Sequence, residues 1–155
     1  MAQVKPLVLN ATTGRIEQLQ NGDFLKEVDH PKVTNANAGA VAFGRVMYLA
    51  SGGMDLARAN AGGTTPSRGL VADNSVASSS VGTLQSNGVL VGTTTQWDAV
   101  TGQTGGLTAG AIYYLSEAVA GGMTTTPPTT GYVQEIGEAI SDTEFLIDVK
   151  QEIKL

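Results

Sequence analysis

An all-β domain is the fold class this sequence predicts, and three observations predict it. Apolar residues come singly, in alternation, or in runs of three to four, with almost no recurrence at helical spacing. Glycine, 20 residues in 155, and threonine punctuate these short segments as turn formers do. Finally, Asn87-Gly88 stands between the apolar runs of "LQSNGVLVG", the strongest local signal for a two-residue hairpin turn. A compact β-barrel or β-sandwich is expected, built from two pseudo-repeated halves and preceded by an extended N-terminal arm or hairpin. The expected division is 1–38 for the hairpin and connector and 39–155 for the β-domain.

Taken in order, "PLVLN" (Pro6 to Asn10) is a β-prone run, "ATTG" a turn ending in Gly14, and "RIEQL" a return strand carrying Ile16 and Leu19. A short helix over 16–20 competes with that strand. "DHPKVTNANAGA" (Asp29 to Ala40) reads as a connector, because Pro31 holds His30 out of the α region and the Asn/Ala/Gly cluster offers no packing face.

From Gly39 a repeat is predicted. Gly44, Val46, Tyr48 and Leu49 of "AFGRVMYLAS" correspond to Gly110, Ile112, Tyr114 and Leu115 of "AGAIYYLS", each 66 residues on. Gly53-Met54 then matches Gly122-Met123 at an offset of 69, which places a short insertion in the intervening turn. "SRGLVA" (Ser67 to Ala72) matches "EIGEAI" (Glu135 to Ile140) at an offset of 68. Tyr48 and Tyr114 are therefore expected in equivalent places. A turn is expected at "TGQTGG" (Thr101 to Gly106), and the strand Ile112 to Leu115 is apolar enough to be central, or to lie half in a core and half in a subunit contact.

Composition restricts the function classes. No cysteine is present, which excludes disulfides, thiol chemistry and cysteine metal sites. A net charge of −5 and a pI near 4.7 argue against a phosphate-binding surface, so nucleic acid is not an expected partner. No apolar run reaches membrane-spanning length and the N-terminus lacks a cleavage pattern, so the chain reads as soluble, unprocessed and without a membrane partner. Between Asp98 and Glu135 the single charge is Glu117, whereas Glu135 to Leu155 carries eight.

The chemical inventory is thin. His30 is the only histidine, beside Pro31 in the expected connector, and no Gly-x-Ser-x-Gly elbow or phosphate loop occurs. Asp142, Glu144 and Asp148 share parity on "DTEFLID", which predicts a solvated carboxylate side with Phe145 and Ile147 inward. Trp97, the only tryptophan, reads as a core anchor or an interface residue. Catalytic, cofactor and metal residues are accordingly expected to be none, and a non-enzymatic role is expected. Pro6, Leu7, Val8, Leu9, Trp97 and Tyr113 are the residues predicted to bind partners.

The succession "VMYLASGGM", "GLVA", "SVGTLQSNGVLVG", "GLTAGAIYYLS", "GGMTTTPP", "GYVQEIGEAIS" and "TEFLIDVK" resembles the capsid decoration (cement) proteins of tailed bacteriophages and related neck and tail fibre modules. The likeness spans roughly Gly39 to Lys150. "LVLNATTGRIEQLQNGDFL" (Leu7 to Leu25) similarly looks like the lead-in of phage fibre and virion proteins. The resemblance implies a non-enzymatic β subunit on the virion, assembled as a homotrimer and bound to the major capsid protein at the capsid surface. A neck or tail fibre adaptor and a carbohydrate-binding β-module are the alternatives.

Overall fold

The computed structural model describes residues 7–10, 15–18 and 30–155. Its elements in chain order are β1 (Leu7–Asn10), β2 (Arg15–Gln18), β3 (Lys32–Thr34), β4 (Val41–Ala42), β5 (Val46–Ala50), β6 (Gly53–Leu56), β7 (Ser67–Val71), β8 (Ser75–Val76), β9 (Val81–Gln85) and β10 (Gly88–Val91). Helix α1 (Thr94–Thr101) follows, then β11 (Ile112–Leu115), β12 (Met123–Thr124), β13 (Tyr132–Val133), β14 (Glu135–Ala139), β15 (Glu144–Ile147) and β16 (Ile153–Lys154). The fold is all-β and sandwich-like, and its sheets do not close into a barrel.

Two five-stranded antiparallel sheets carry the body. The first runs β3-β9-β7-β5-β6 and the second β10-β15-β14-β11-β12, so the same strand order is used twice. Register repeats as well as order. Met47 lies opposite Gly69 and Tyr48 opposite Ser67, with a bulge at Arg68; Tyr113 lies opposite Gly137 and Tyr114 opposite Glu135, with a bulge at Ile136. A bulge adds one unpaired residue and sharpens local twist, and here both copies place it immediately before the glycine. The surrounding hydrogen bonds are duplicated too. Gly44 N donates to Val71 O at 2.8 Å and Gly110 N to Ala139 O at 2.7 Å; Ala72 N donates to Thr83 O at 3.0 Å and Ile140 N to Glu144 O at 2.8 Å. Tyr48 and Tyr114 are thus at equivalent positions, both half-buried.

The change of offset from 66 to 69 has a structural cause. Leu49 opposite Met54 encloses a four-residue link, whereas Leu115 opposite Met123 encloses the longer Ser116 to Gly122. The added length clasps the first repeat. Ala59 N donates to Ser116 O, Gly121 N to Ala57 O, Val46 N to Gly121 O, and the Arg58 guanidinium donates to Glu117 O at 2.8 Å and Ala118 O at 3.0 Å. Replacing Arg58 with Ala is expected to cost about 1–2 kcal/mol in urea unfolding, with Arg58→Lys recovering less than half, since an ammonium lacks the planar fork that reaches two carbonyls.

Burial separates the two copies. In the first sheet Val46 and Leu70 join the main core, while Met47, Val71 and Leu84 face a second cluster closed by Val41 and Val76 of the β4–β8 pair. In the second sheet the register counterparts of Met47, Val71 and Leu84, namely Tyr113, Ala139 and Phe145, face the main core. The counterparts of Val46 and Leu70, Ile112 and Glu138, are exposed. One sheet is covered on both faces and the other on one.

Several expectations need correction. Asn87-Gly88 makes no hairpin: β9 belongs to the first sheet and β10 to the second, so the dipeptide carries the chain across from one sheet to the other. Both sides of β9 are already taken, by β3 and β7. Ser79 is the one non-glycine residue with positive φ among the described residues, so Asn87 lacks the left-handed conformation that the expected turn requires. The connector is not featureless either. β3 pairs with β9, and buried Asn35 donates through Nδ2 to Gly39 O and Val76 O while its Oδ1 accepts from Asn37 N. The first sheet therefore starts at Lys32 instead of at Gly39, held by a polar residue acting as a local tie.

A helix was not expected where α1 forms. Its signals are local: Thr93 caps Gln96 N while Gln96 Oε1 accepts from Thr93 N, and Gly102 ends the helix at φ 71°. α1 occupies the place between β10 and β11 that β4 has between β3 and β5. At the N-terminus β1 and β2 pair as the expected antiparallel hairpin, with Leu7 opposite Gln18 and Asn10 opposite Arg15. They form a two-stranded sheet of their own, and the competing short helix is excluded.

Candidate binding surfaces

Trp97, expected as a core anchor or an interface residue, is the core anchor, and Tyr113, predicted to bind a partner, is a core side chain too. Trp97 is fully buried on α1, edge-on to Phe43 at 5.3 Å and tilted against Phe145 at 5.7 Å, with Nε1 donating to Thr143 O at 2.9 Å. Tyr113 is edge-on to Phe145 at 5.8 Å; its hydroxyl donates to Gln103 Oε1 at 2.7 Å and accepts from Thr108 N. The chain Phe43, Trp97, Phe145, Tyr113 joins the two repeats. Every polar atom on the two predicted residues is satisfied internally, so neither presents a group to a partner. β11 buries Tyr113 and Leu115 and exposes Ile112, so one face of this strand lies in the core and the other is open.

Of the other predicted partner residues, Pro6 lies outside the described residues. Leu7, Val8 and Leu9 form β1, paired with β2. On β15, Phe145 and Ile147 point inward as expected, while Leu146 between them is exposed.

Leu146 belongs to a surface the sequence reading missed. Across four neighbouring strands Val89 lies opposite Leu146, Leu146 opposite Glu138, and Glu138 opposite Ile112. The three apolar members are 43%, 40% and 42% exposed, and Val91, two residues beyond Val89, is 62% exposed. This row is the outer face of the second sheet. Its signal in the sequence was parity: Val89 and Val91 flank inward Leu90, and Leu146 flanks inward Phe145 and Ile147.

The strand β10 also leaves an edge open. Gly92 N donates to Thr143 O, so in the antiparallel ladder Leu90 and Gly88 exchange bonds with β15, and the peptide groups of Val89 and Val91 point away from it. Gln85 Nε2 meets Val89 O at 3.1 Å. No described residue meets the N–H or C=O of Val91.

Elsewhere, a polar cleft of about 530 Å³ is lined by Ser67, Arg68, Ser86, Gln134 and Lys150. Its floor is structural, since Gln134 Oε1 accepts from Ser67 N and Gln134 Nε2 donates to Lys150 O. The Lys150 ammonium is paired with Asp148, whose hydrogen bond raises its pKa above the ordinary lysine value. Among the described residues no group of three His, Asp or Glu side chains gathers as a metal site. No helix among them is long and apolar enough to cross a membrane. No family model, curated protein or solved structure matches this chain.

Proposed function

We propose that this protein is a non-enzymatic structural component of a tailed-phage virion, a decoration protein that seats on the major capsid protein as an oligomer and stabilises the head. The likeness of its turn-and-strand motifs to that class supports the reading. The observation that carries it is the second sheet, whose outer face exposes residues equivalent to ones the first sheet buries. A surface of that kind marks an interaction site on a β-protein. The mechanism is mass action: a subunit that binds only the assembled shell shifts the equilibrium toward that shell.

The β1–β2 hairpin favours a second reading, a neck or tail fibre adaptor docked through its N-terminus. Copy number in purified particles separates the two. Hundreds per particle support decoration, and a few support the neck or tail. Removal of residues 1–10 is expected to leave the β-body folded, judged by an unchanged thermal transition, and to weaken attachment to capsids in a co-sedimentation assay. Attachment at full strength would overturn the role of the hairpin.

A further inference from the structure

We infer that the open edge of β10 receives the β1–β2 hairpin of a second copy of this chain, adding β1 as an extra strand to the second sheet. The inference deepens the self-assembling scaffold proposed above and rests on it for the oligomer, not for the capsid.

Three observations select this occupant. First, strand addition requires free peptide groups on an exposed edge, and Val91 offers both its N–H and its C=O beside an apolar outer face. In the first sheet the counterpart edge, β3, is not left alone: Asn35 just after it bridges Met54 of β6. Second, an isolated two-stranded hairpin is marginal in water, and among the described residues the hairpin pairs only with itself while β10 pairs only with β15. A donor strand from a second copy answers both needs at once. β1 and β10 are each four residues long, so the two strands match in length.

Third, charge is complementary. The outer face beside β10 carries Glu144, opposite Val91, and Glu138, opposite Leu146, with no cation among the residues of its cross-strand rows. The first twenty residues hold Lys5 and Arg15 against Glu17 alone. A symmetric contact between two such faces would instead set glutamate against glutamate, which disfavours the face-to-face dimer.

Because the chain has no cysteine, the contact is testable by disulfide trapping in full-length protein. One copy carries Val8→Cys or Leu9→Cys, so that both faces of β1 are sampled, and a second copy with a distinguishing tag carries Val91→Cys. Mixing under mild oxidation is expected to give a heterodimer on a non-reducing gel, at least fivefold above the homodimer from any variant alone. Val91→Pro is the second probe. It removes an N–H that points away from β15, and an edge strand tolerates proline there. It is expected to convert the oligomer to monomer in light scattering while Trp97 fluorescence stays native.

A cross-link formed within one chain in the Val8→Cys/Val91→Cys double variant would overturn the proposal, as would homodimers as strong as the heterodimer. Native oligomerisation in Val91→Pro, or a wild-type monomer, would overturn it as well. Capsid binding plays no part in these readouts, so a capsid-free outcome for the proposed function leaves this result standing on its own.

Discussion

Trp97→Ala is expected to remove about 3–5 kcal/mol of stability and to lower the Tm by roughly 10 °C or more, the range for truncating a buried tryptophan in a domain of this size. The loss is a cavity, not an orphaned acceptor: Thr143 O, which accepts from Nε1, also accepts from Gly92 N and keeps that partner. Collapse into the hole is resisted. Phe43 and Phe145 are held by backbone in different repeats, and Gly44 and Gly92 bring main chain close enough that a Cβ on Gly92 would stand 2.5 Å from Phe43. Trp97→Phe should retain more than half of the lost stability. Chemical denaturation followed by circular dichroism measures both, since the only tryptophan is the residue replaced. A loss below about 1 kcal/mol would mean that α1 is a peripheral element and the two repeats are joined elsewhere.

Gly137→Ala is expected to be nearly as costly, about 3 kcal/mol or more, by a different mechanism. A Cβ at Gly137 would lie 2.0 Å from Leu146 O on β15 and 3.1 Å from the backbone N of Asp148 just beyond it. Relief requires opening the β14–β15 ladder, because no side chain is available to swing away. The repeat predicts the same result at Gly69, where the Cβ would meet Gln85 O at 2.2 Å. Gly63→Ala is the control, an open loop position with nothing within 4 Å, and should fall within about 0.5 kcal/mol of wild type. Equal, large losses at Gly69 and Gly137 would establish that the duplicated bulge is held by the same contact in both copies.

The repeat itself was legible because its markers are local. Glycine before a strand, tyrosine within it and glycine in the strand that pairs with it recur at nearly fixed offsets in both copies, so the pattern can be read without the fold. The N-terminal hairpin was legible for the same reason: two short β-prone runs flank "ATTG", and the strands they form pair antiparallel. The missed helix was also locally encoded, in Thr93, Gln96 and Gly102, but the surrounding threonines carry strand preference and no apolar stripe marks it.

The candidate surface was legible only in part. Trp97 and Tyr113 drew attention as large aromatics, yet size makes a residue equally fit for a core or an interface, and the decision depends on what stands across from it. The same holds for Asn87-Gly88. The dipeptide permits a tight turn, but the hairpin needs β9 and β10 to be free for each other, and β3 and β7 already occupy both sides of β9.

The sequence by itself determined most of the short strands, the turn glycines and the two-fold recurrence, because these depend on sterics and hydrogen bonding within a few residues. Only the tertiary structure decided which face of each copy is covered. Val46 and Ile112 are both aliphatic and occupy equivalent positions, but Val46 meets the main core while Ile112 meets none. Two like sheets packed in one molecule must leave one outer face without its neighbour, and chain-wide packing, not local preference, determines that it is the second sheet's.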